Sequence, residues 1–368
     1  MDVGAVGGTG HERAATVAAE AWGRPGDDAF AITCEPAAAH LSNMTTNAIH
    51  RYRGTFSDGT PWSLIAKVLH PASESPLFAA IPPDHHASTL AALNWLDEPA
   101  WYRSGIGAEL SGALRLPTVH AIDDAPGRIT IWMEDVVDRG TWDLDRYHRT
   151  ARAIGGLGAR WTADEAAERF GLGHRDIGGM FFGKVCNFDL VMMGDDGFWR
   201  RPDIDAVVDL GLRDDLFRLV RRMPDLIRAL DDLPRGVCHG DATATNFHEP
   251  GDGTVVAIDW SYGNVDALGS DLAQLLAGRF ESGDALITDL DRIAATILDG
   301  YVEGLMSHGC EVDPRDLRRA WATHMAIRSV FAALTDELPG VTGAQRTERL
   351  RSRAALARFG IDLTDRLP

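Results

Sequence analysis

His239-Gly240-Asp241-Ala242-Thr243-Ala244-Thr245-Asn246, followed shortly by Val255-Val256-Ala257-Ile258-Asp259-Trp260, is the stretch on which this 368-residue chain is read. Short apolar strands are expected to bracket Asp241 and Asp259. Asp259 then ends a strand, which holds its carboxylate rigidly. Asn246 lies five residues after Asp241, close enough to curl back across a short loop and offer a neutral oxygen. Hard oxygen ligands of this kind suit Mg²⁺ rather than zinc. His239 is read as structural, fixing the loop through hydrogen bonds.

A second signal lies far upstream. The chain has only two lysines, Lys67 and Lys184, among 36 basic residues. Lys67 sits in a strand-like run, Leu64-Ile65-Ala66-Lys67-Val68-Leu69, where an arginine would differ in shape and hydrogen-bond geometry. Phosphoryl transfer needs a triphosphate held, its charge neutralised by Mg²⁺ and Lys, and an acceptor hydroxyl aligned in line. Lys67, Asp241, Asn246 and Asp259 are side chains of the right types for those tasks. Lys184, beside Gly183, has no assigned role.

Around these signals the pattern divides. Ala14 to Trp22 is a helix candidate. Ala48 to Phe56 and Trp62 to Leu69 form a hairpin across the turn residues Ser57 to Thr60. Pro71 to Asp84 carries four prolines and reads as a loop. His85 to Leu96 and Pro99 to Ser104 read helical, and Arg128 to Met133 is another strand. Beyond residue 136 the chain turns mostly helical, as in Asp143–Trp161, with apolar spacings of three and four in Asp271–Leu276, Ile287–Leu305 and Leu317–Leu334. The expected division is therefore 1–135, β-rich, and 136–368, helical.

Bulk properties narrow the class. Length favours two domains, and 45% apolar with 24% charged residues is ordinary for a globular protein. A formal net charge of −18 argues against nucleic-acid binding. No run approaches the roughly 20 apolar residues of a membrane span, and the first 20 residues lack a signal-peptide pattern. The expected setting is cytoplasmic, without a membrane partner, as a monomer or homodimer. Four scattered cysteines read as reduced thiols, two or three of them buried. His85-His86 lack a ligand-spaced partner and read as surface residues. Trp101, Trp142, Trp161 and Trp199 read first as packing, and Arg346 to Arg358 as the solvated face of a terminal helix.

HGDATATN, then AIDW, then Gly269-Ser270-Asp271-Leu272-Ala273 resembles the aminoglycoside phosphotransferase and choline kinase-like superfamily over roughly residues 40 to 335. The resemblance implies an α+β, protein-kinase-like two-lobed fold, with a small β-rich N-lobe and a larger, mostly helical C-lobe. It implies ATP and Mg²⁺ as cofactors and a small hydroxylated molecule as acceptor, an aminoglycoside-like antibiotic, amino sugar or related alcohol. Asp241 is then the catalytic aspartate, and Asn246 and Asp259 bind Mg²⁺. Lys67 contacts the α- and β-phosphates, and Asp271 braces the catalytic loop. Glu98 resembles the helix glutamate that pairs with the lysine, with Glu109 as its rival. Glu134 and Val136 mark the hinge, whose backbone would meet adenine.

Three features depart from the family pattern. Ala244 and Thr245 replace the Pro and Gly usual before the Asn. No glycine-rich loop precedes the hairpin, so Ser42, Asn43 and Thr45 would cover the phosphates. Glu98 precedes Pro99, which fits a helix only at its N-terminal edge. Two other classes stand beside the kinase reading. A nucleotide-binding regulator without catalysis would be expected to have lost one of Lys67, Asp241, Asn246 and Asp259. A metal-dependent hydrolase built on His239, Asp241 and Asp259 would need more histidines at short spacing. The kinase reading needs its four side chains to converge on one triphosphate–metal complex.

Overall fold

The computed structural model describes the chain except residues 1–6, 27, 38–42, 111, 175, 336–337, 339 and 368. Ser42, expected in the phosphate cover, lies outside the described residues. The chain divides into two compact units: residues 1–107 with 116–138, and residues 108–115 with 139–368.

The first unit is built on a five-stranded antiparallel sheet. Its strands are β1 (Ala29–Pro36), β2 (Thr46–Phe56), β3 (Pro61–Leu69), β5 (Val119–Ala125) and β6 (Arg128–Glu134), in the order β1-β2-β3-β6-β5; β4 (Leu114–Arg115) belongs to the second unit. Alternation along β3 sends Trp62, Leu64 and Ala66 to one face, where they pack with Tyr52, Phe56, Trp132 and the helix Gly7–Ala21. Ile65 and Leu69 point to the other face, beside Ile129, Ile131 and Met133. Lys67 has the parity of that second face, so the side that carries it is set by the two-residue period alone. The hairpin is longer at its start than the sequence reading placed it.

Of the two helices expected upstream of β5, the first is shorter than the pattern predicts and the second starts two residues earlier. His86–Ala92 forms a helix, but Leu93 to Leu96 do not continue it. Asp97–Arg103 is the next, with Glu98 and Pro99 both in its first turn. Proline costs nothing there, because the first turn's N–H groups have no helical acceptor. The proline-rich segment is not plain loop; it contains the 3₁₀ turns Ala72–Glu74 and Pro76–Ala80.

The second unit is dominated by helices. Leu144–Gly158 and Leu290–Met306 pack closely because glycines line the seam. A Cβ on Gly304 would lie 2.1 Å from the Arg152 carbonyl oxygen, and one on Gly155 would lie 2.2 Å from that of Tyr301. Between the helices run two small sheets. β7 (Arg235–Cys238) pairs antiparallel with β10 (Asn264–Ala267). β8 (Phe247–His248) pairs antiparallel with β9 (Val255–Ala257), and β4 joins β9 in parallel. The region read as one helix, Leu317–Leu334, is an α-helix at Pro314–Met325 that becomes a π-helix at Ala326–Val330. The terminal helix Gly343–Asp365 extends well beyond both ends of the arginine run.

Of the four cysteines only Cys238 is buried, one rather than the two or three expected. No helix among the described residues is long and apolar enough to cross a membrane.

Candidate active site

In the first unit, Lys67 Nζ lies 2.7 Å from Glu98 Oε2. Both side chains are almost fully buried, at 6% and 2% exposure, so the pair is desolvated and its geometry is tightly fixed. Glu109, the alternative partner, instead belongs to the second unit and pairs with Arg169 on its surface. Thr45 is buried, and both its N–H and its hydroxyl donate to Asn43 Oδ1 at 2.8 Å. This turn holds the segment just ahead of β2. At the other end of β6, the Glu134 N–H donates to the Thr118 carbonyl, and Glu134 Oε2 accepts from the Thr118 N–H. Val136 lies two residues beyond the strand and is half-buried.

In the second unit, the loop from His239 to Asn246 is closed by its own side chains. His239 is fully buried. Its Nδ1 accepts from the Asp241 N–H at 3.3 Å, so Nε2 carries the proton and donates to the Ile258 carbonyl at 2.9 Å. Phe247 and Trp260 flank the ring. With both nitrogens engaged, His239 has no lone pair left for a metal, which counts against the hydrolase reading. Gly240 has φ +75°, and a Cβ there would lie 2.0 Å from the Tyr262 carbonyl oxygen, so only glycine fits.

Asp271 accepts at one carboxylate oxygen from the His239 N–H and at the other from the Gly240 N–H, both at 2.8 Å. It precedes the helix Leu272–Ser282 but makes no capping hydrogen bond to it; its carboxylate is spent on the loop. Burial pushes this carboxyl up, against the two hydrogen bonds that favour its charge. The exit of the loop is tied down by Arg146, a fully buried residue that donates to the carbonyls of Phe247 and Gly140 and stacks over Trp142.

Asn246 Nδ2 donates to the Asp241 carbonyl at 2.9 Å and to Asp241 Oδ2 at 3.2 Å. This commits the amide hydrogens and turns the carboxamide oxygen away from Asp241. The hairpin then sets its neighbour. Phe247 pairs with Ala257, and the Ile258 N–H donates to the Asn246 carbonyl, so Asn246 lies across from the start of the Ile258-Asp259 turn. Asp259 has φ +59°, one of two non-glycine residues with positive φ among those described. Such a conformation is uncommon for L-residues and concentrates at functional positions. Ser261 Oγ donates to Asp259 Oδ1. No group of three His, Cys, Asp or Glu side chains suited to a metal occurs among the described residues. An amide oxygen plus one carboxylate is the donor set of a Mg²⁺ that takes its remaining ligands from phosphates and water, so these residues fit that ion.

Two contacts of Asp241 were missed in the sequence reading. Arg328 Nη2 lies 3.0 Å from Asp241 Oδ1, and Gln274 Nε2 donates to the same oxygen at 3.3 Å. Gln274 follows Asp271 by three residues on a helix, so helical spacing could have found it. Arg328, 87 residues downstream of Asp241, carries no local signal. Lys184 lies 3.7 Å from the buried carboxylate of Asp189, which also accepts from the Thr335 hydroxyl. Trp101, Trp161 and Trp199 are buried. His86 packs on Phe78 and bonds the Ile81 carbonyl.

No family model matches the sequence, and no curated protein matches it significantly. Solved structures do. An aminoglycoside phosphotransferase from Alicyclobacillus acidocaldarius superposes with a TM-score of 0.55 at 15% identity, covering 89% of this chain and 93% of that one. An amicoumacin kinase in complex with AMP-PNP, Ca²⁺ and Ami gives 0.51 at 15% identity, covering 91% and 89%. Nearly the whole of each chain takes part, so the likeness is one of architecture rather than of a shared fragment. The α+β, protein-kinase-like fold of these phosphotransferases is the fold of this chain.

Proposed function

We propose that this protein transfers the γ-phosphoryl group of ATP to a hydroxyl group of a small molecule. The observation that carries the reading is the closed loop His239–Asn246, in which one asparagine donates from its amide to the Asp241 carboxylate while its backbone carbonyl is tied to the start of the turn that holds Asp259. That is the arrangement a base and a metal site need when they serve the same reacting group.

In the reaction the acceptor oxygen attacks the γ-phosphorus, the bond to the β–γ bridging oxygen breaks, and ADP leaves. Asp241 accepts the hydroxyl proton or holds the hydroxyl for attack. Lys67, kept in place by Glu98, would take the α- and β-phosphates. Backbone atoms near Val136 would meet the base, since the Glu134 N–H is already used within the sheet. Asn246 and Asp259 would hold Mg²⁺, which when bound neutralises charge on the phosphate oxygens. Asn43 and Thr45 hold their turn through each other, so any cover over the phosphates would come from the backbone of that segment rather than from these side chains.

The acceptor class is a hydroxylated antibiotic, amino sugar or amino alcohol. An ATP-coupled assay over a panel of such compounds tests the proposal. Mg²⁺-dependent ADP formation that rises with one panel member, and is lost in Asp241→Ala, supports it. Nucleotide binding without turnover across the panel would instead favour a silent regulator.

A further inference from the structure

We infer that Arg328 is a positioning residue for Asp241, and that together with Gln274 it decides which carboxylate oxygen receives the acceptor's proton. This rests on the reading of Asp241 as the base. The two oxygens are treated unequally. Oδ1 accepts from Arg328 at 3.0 Å and from Gln274 at 3.3 Å, whereas Oδ2 accepts from Asn246 at 3.2 Å. Both oxygens accept at an ionised group, but Oδ1 has two donors against one, and Arg328 adds its full positive charge there. Oδ1 is thus the anchored oxygen, and Oδ2 keeps the lone pair through which a hydroxyl can be engaged.

The anchor is itself built. The Arg328 side chain is only 11% exposed and its guanidinium lies over the Tyr262 ring, 5.7 Å from the centroid. Tyr262 belongs to the same turn as Asp259 and touches Gly240 through its carbonyl. Arg328 therefore braces the base against the segment that carries the acidic metal ligand. Its neighbour Ser329, fully buried, donates to Gln274 Oε1 at 3.5 Å, which orients the amide whose nitrogen reaches Asp241. Consecutive residues of an α-helix point about 100° apart. Here Arg328 and Ser329 serve one carboxylate, and they do so from the π-helical stretch Ala326–Val330. Such stretches are rare and recur at functional positions, because the extra residue per turn redirects side chains.

A guanidinium at this place has a chemical consequence. Arg328 donates and cannot accept, so it cannot take the proton itself. Its work is to hold Asp241 in one rotamer, and its loss should slow transfer without loosening ATP.

The test uses the full-length chain and hydrolysis of Mg·ATP with water as acceptor, followed at steady state over a range of ATP concentrations. Arg328→Gln should lower the rate roughly 10- to 100-fold, with the KM for ATP within about twofold of wild type. Arg328→Lys should recover part of the loss. Gln274→Leu should lower the rate by about threefold through the same oxygen. A wild-type rate in Arg328→Gln, or a raised KM at unchanged rate, overturns the inference. If Arg328→Gln does not fold, Gln274→Leu decides, and a wild-type rate there overturns it equally. Asp241→Ala separates the two levels: if it hydrolyses ATP like wild type, the proposed function falls and Arg328's role with it. If only Asp241→Ala loses activity, the present inference alone fails.

Discussion

Lys67 and Glu98 show why a buried ion pair cannot be judged by deleting one partner. Removing the lysine leaves a desolvated carboxylate, and such losses cost about 3–5 kcal/mol whatever the residue's function. Lys67→Met should therefore destabilise the protein by about that amount, whereas Lys67→Met combined with Glu98→Gln should regain most of it. If Lys67 serves the phosphates, the double variant stays defective in ATP use. A stable double variant with wild-type KM for ATP would remove Lys67 from the site. Asp241→Asn should cut turnover by roughly 10²- to 10⁴-fold, the usual span for a lost general base, while fluorescence titration with Mg·ATP should read near-normal affinity. At this scale the sequence was informative where chemistry is local: the scarcity of lysine singled out Lys67, and the five-residue spacing placed Asn246 by Asp241. It was silent on Arg328, because nothing within a helical turn of that residue records a partner 87 positions away.

Elements carry the next set of consequences. The seam between the helices Leu144–Gly158 and Leu290–Met306 exists because glycine lets the two backbones touch. Gly304→Ala places a methyl group 2.1 Å from the Arg152 carbonyl oxygen, so the helices must separate; a loss of about 1–3 kcal/mol or more in denaturant unfolding is expected. The terminal helix is held partly by Arg346, whose Nε lies 2.9 Å from Asp203 Oδ2. Burial pushes the Asp203 carboxyl up, but hydrogen bonds from Arg201 and Arg346 outweigh it and hold it at about 2, below its ordinary 3.8. A lowered folded value means stability that is present above pH 3.8 and lost as the pH falls towards about 2. Because the pair is part-exposed, about 1 kcal/mol is expected, and Asp203→Asn should remove the difference between unfolding curves above and below that window. The hairpin, β6 and the long helices were legible from period alone, whereas β1 and β5 were not. The π-helical stretch at Ala326–Val330 was not, since its apolar residues continue the helical spacing and only the hydrogen-bond register changes. The end of the 85–96 helix was missed for a simpler reason: Leu93, Trp95 and Leu96 continue the apolar pattern, but the helix stops at Ala92.

For the whole molecule, the β-rich beginning and helical remainder followed from the switch in periodicity, and the fold agrees with them. What composition could not supply was the membership of residues 108–115 in the second unit, which depends on β4 pairing with β9 across more than a hundred residues. Nor could it name the acceptor, because the net charge of −18 is spread over the chain rather than written in a motif. On this reading the aspartate of the His239–Asn246 loop serves phosphoryl transfer from Mg·ATP, and mass spectrometry of the acceptor panel after incubation with ATP and Mg²⁺ is the decisive measurement. Wild-type protein should add one phosphoryl group to a hydroxyl of a panel member, and Asp241→Ala should add none. Equal phosphorylation by both proteins would rule out that role for Asp241.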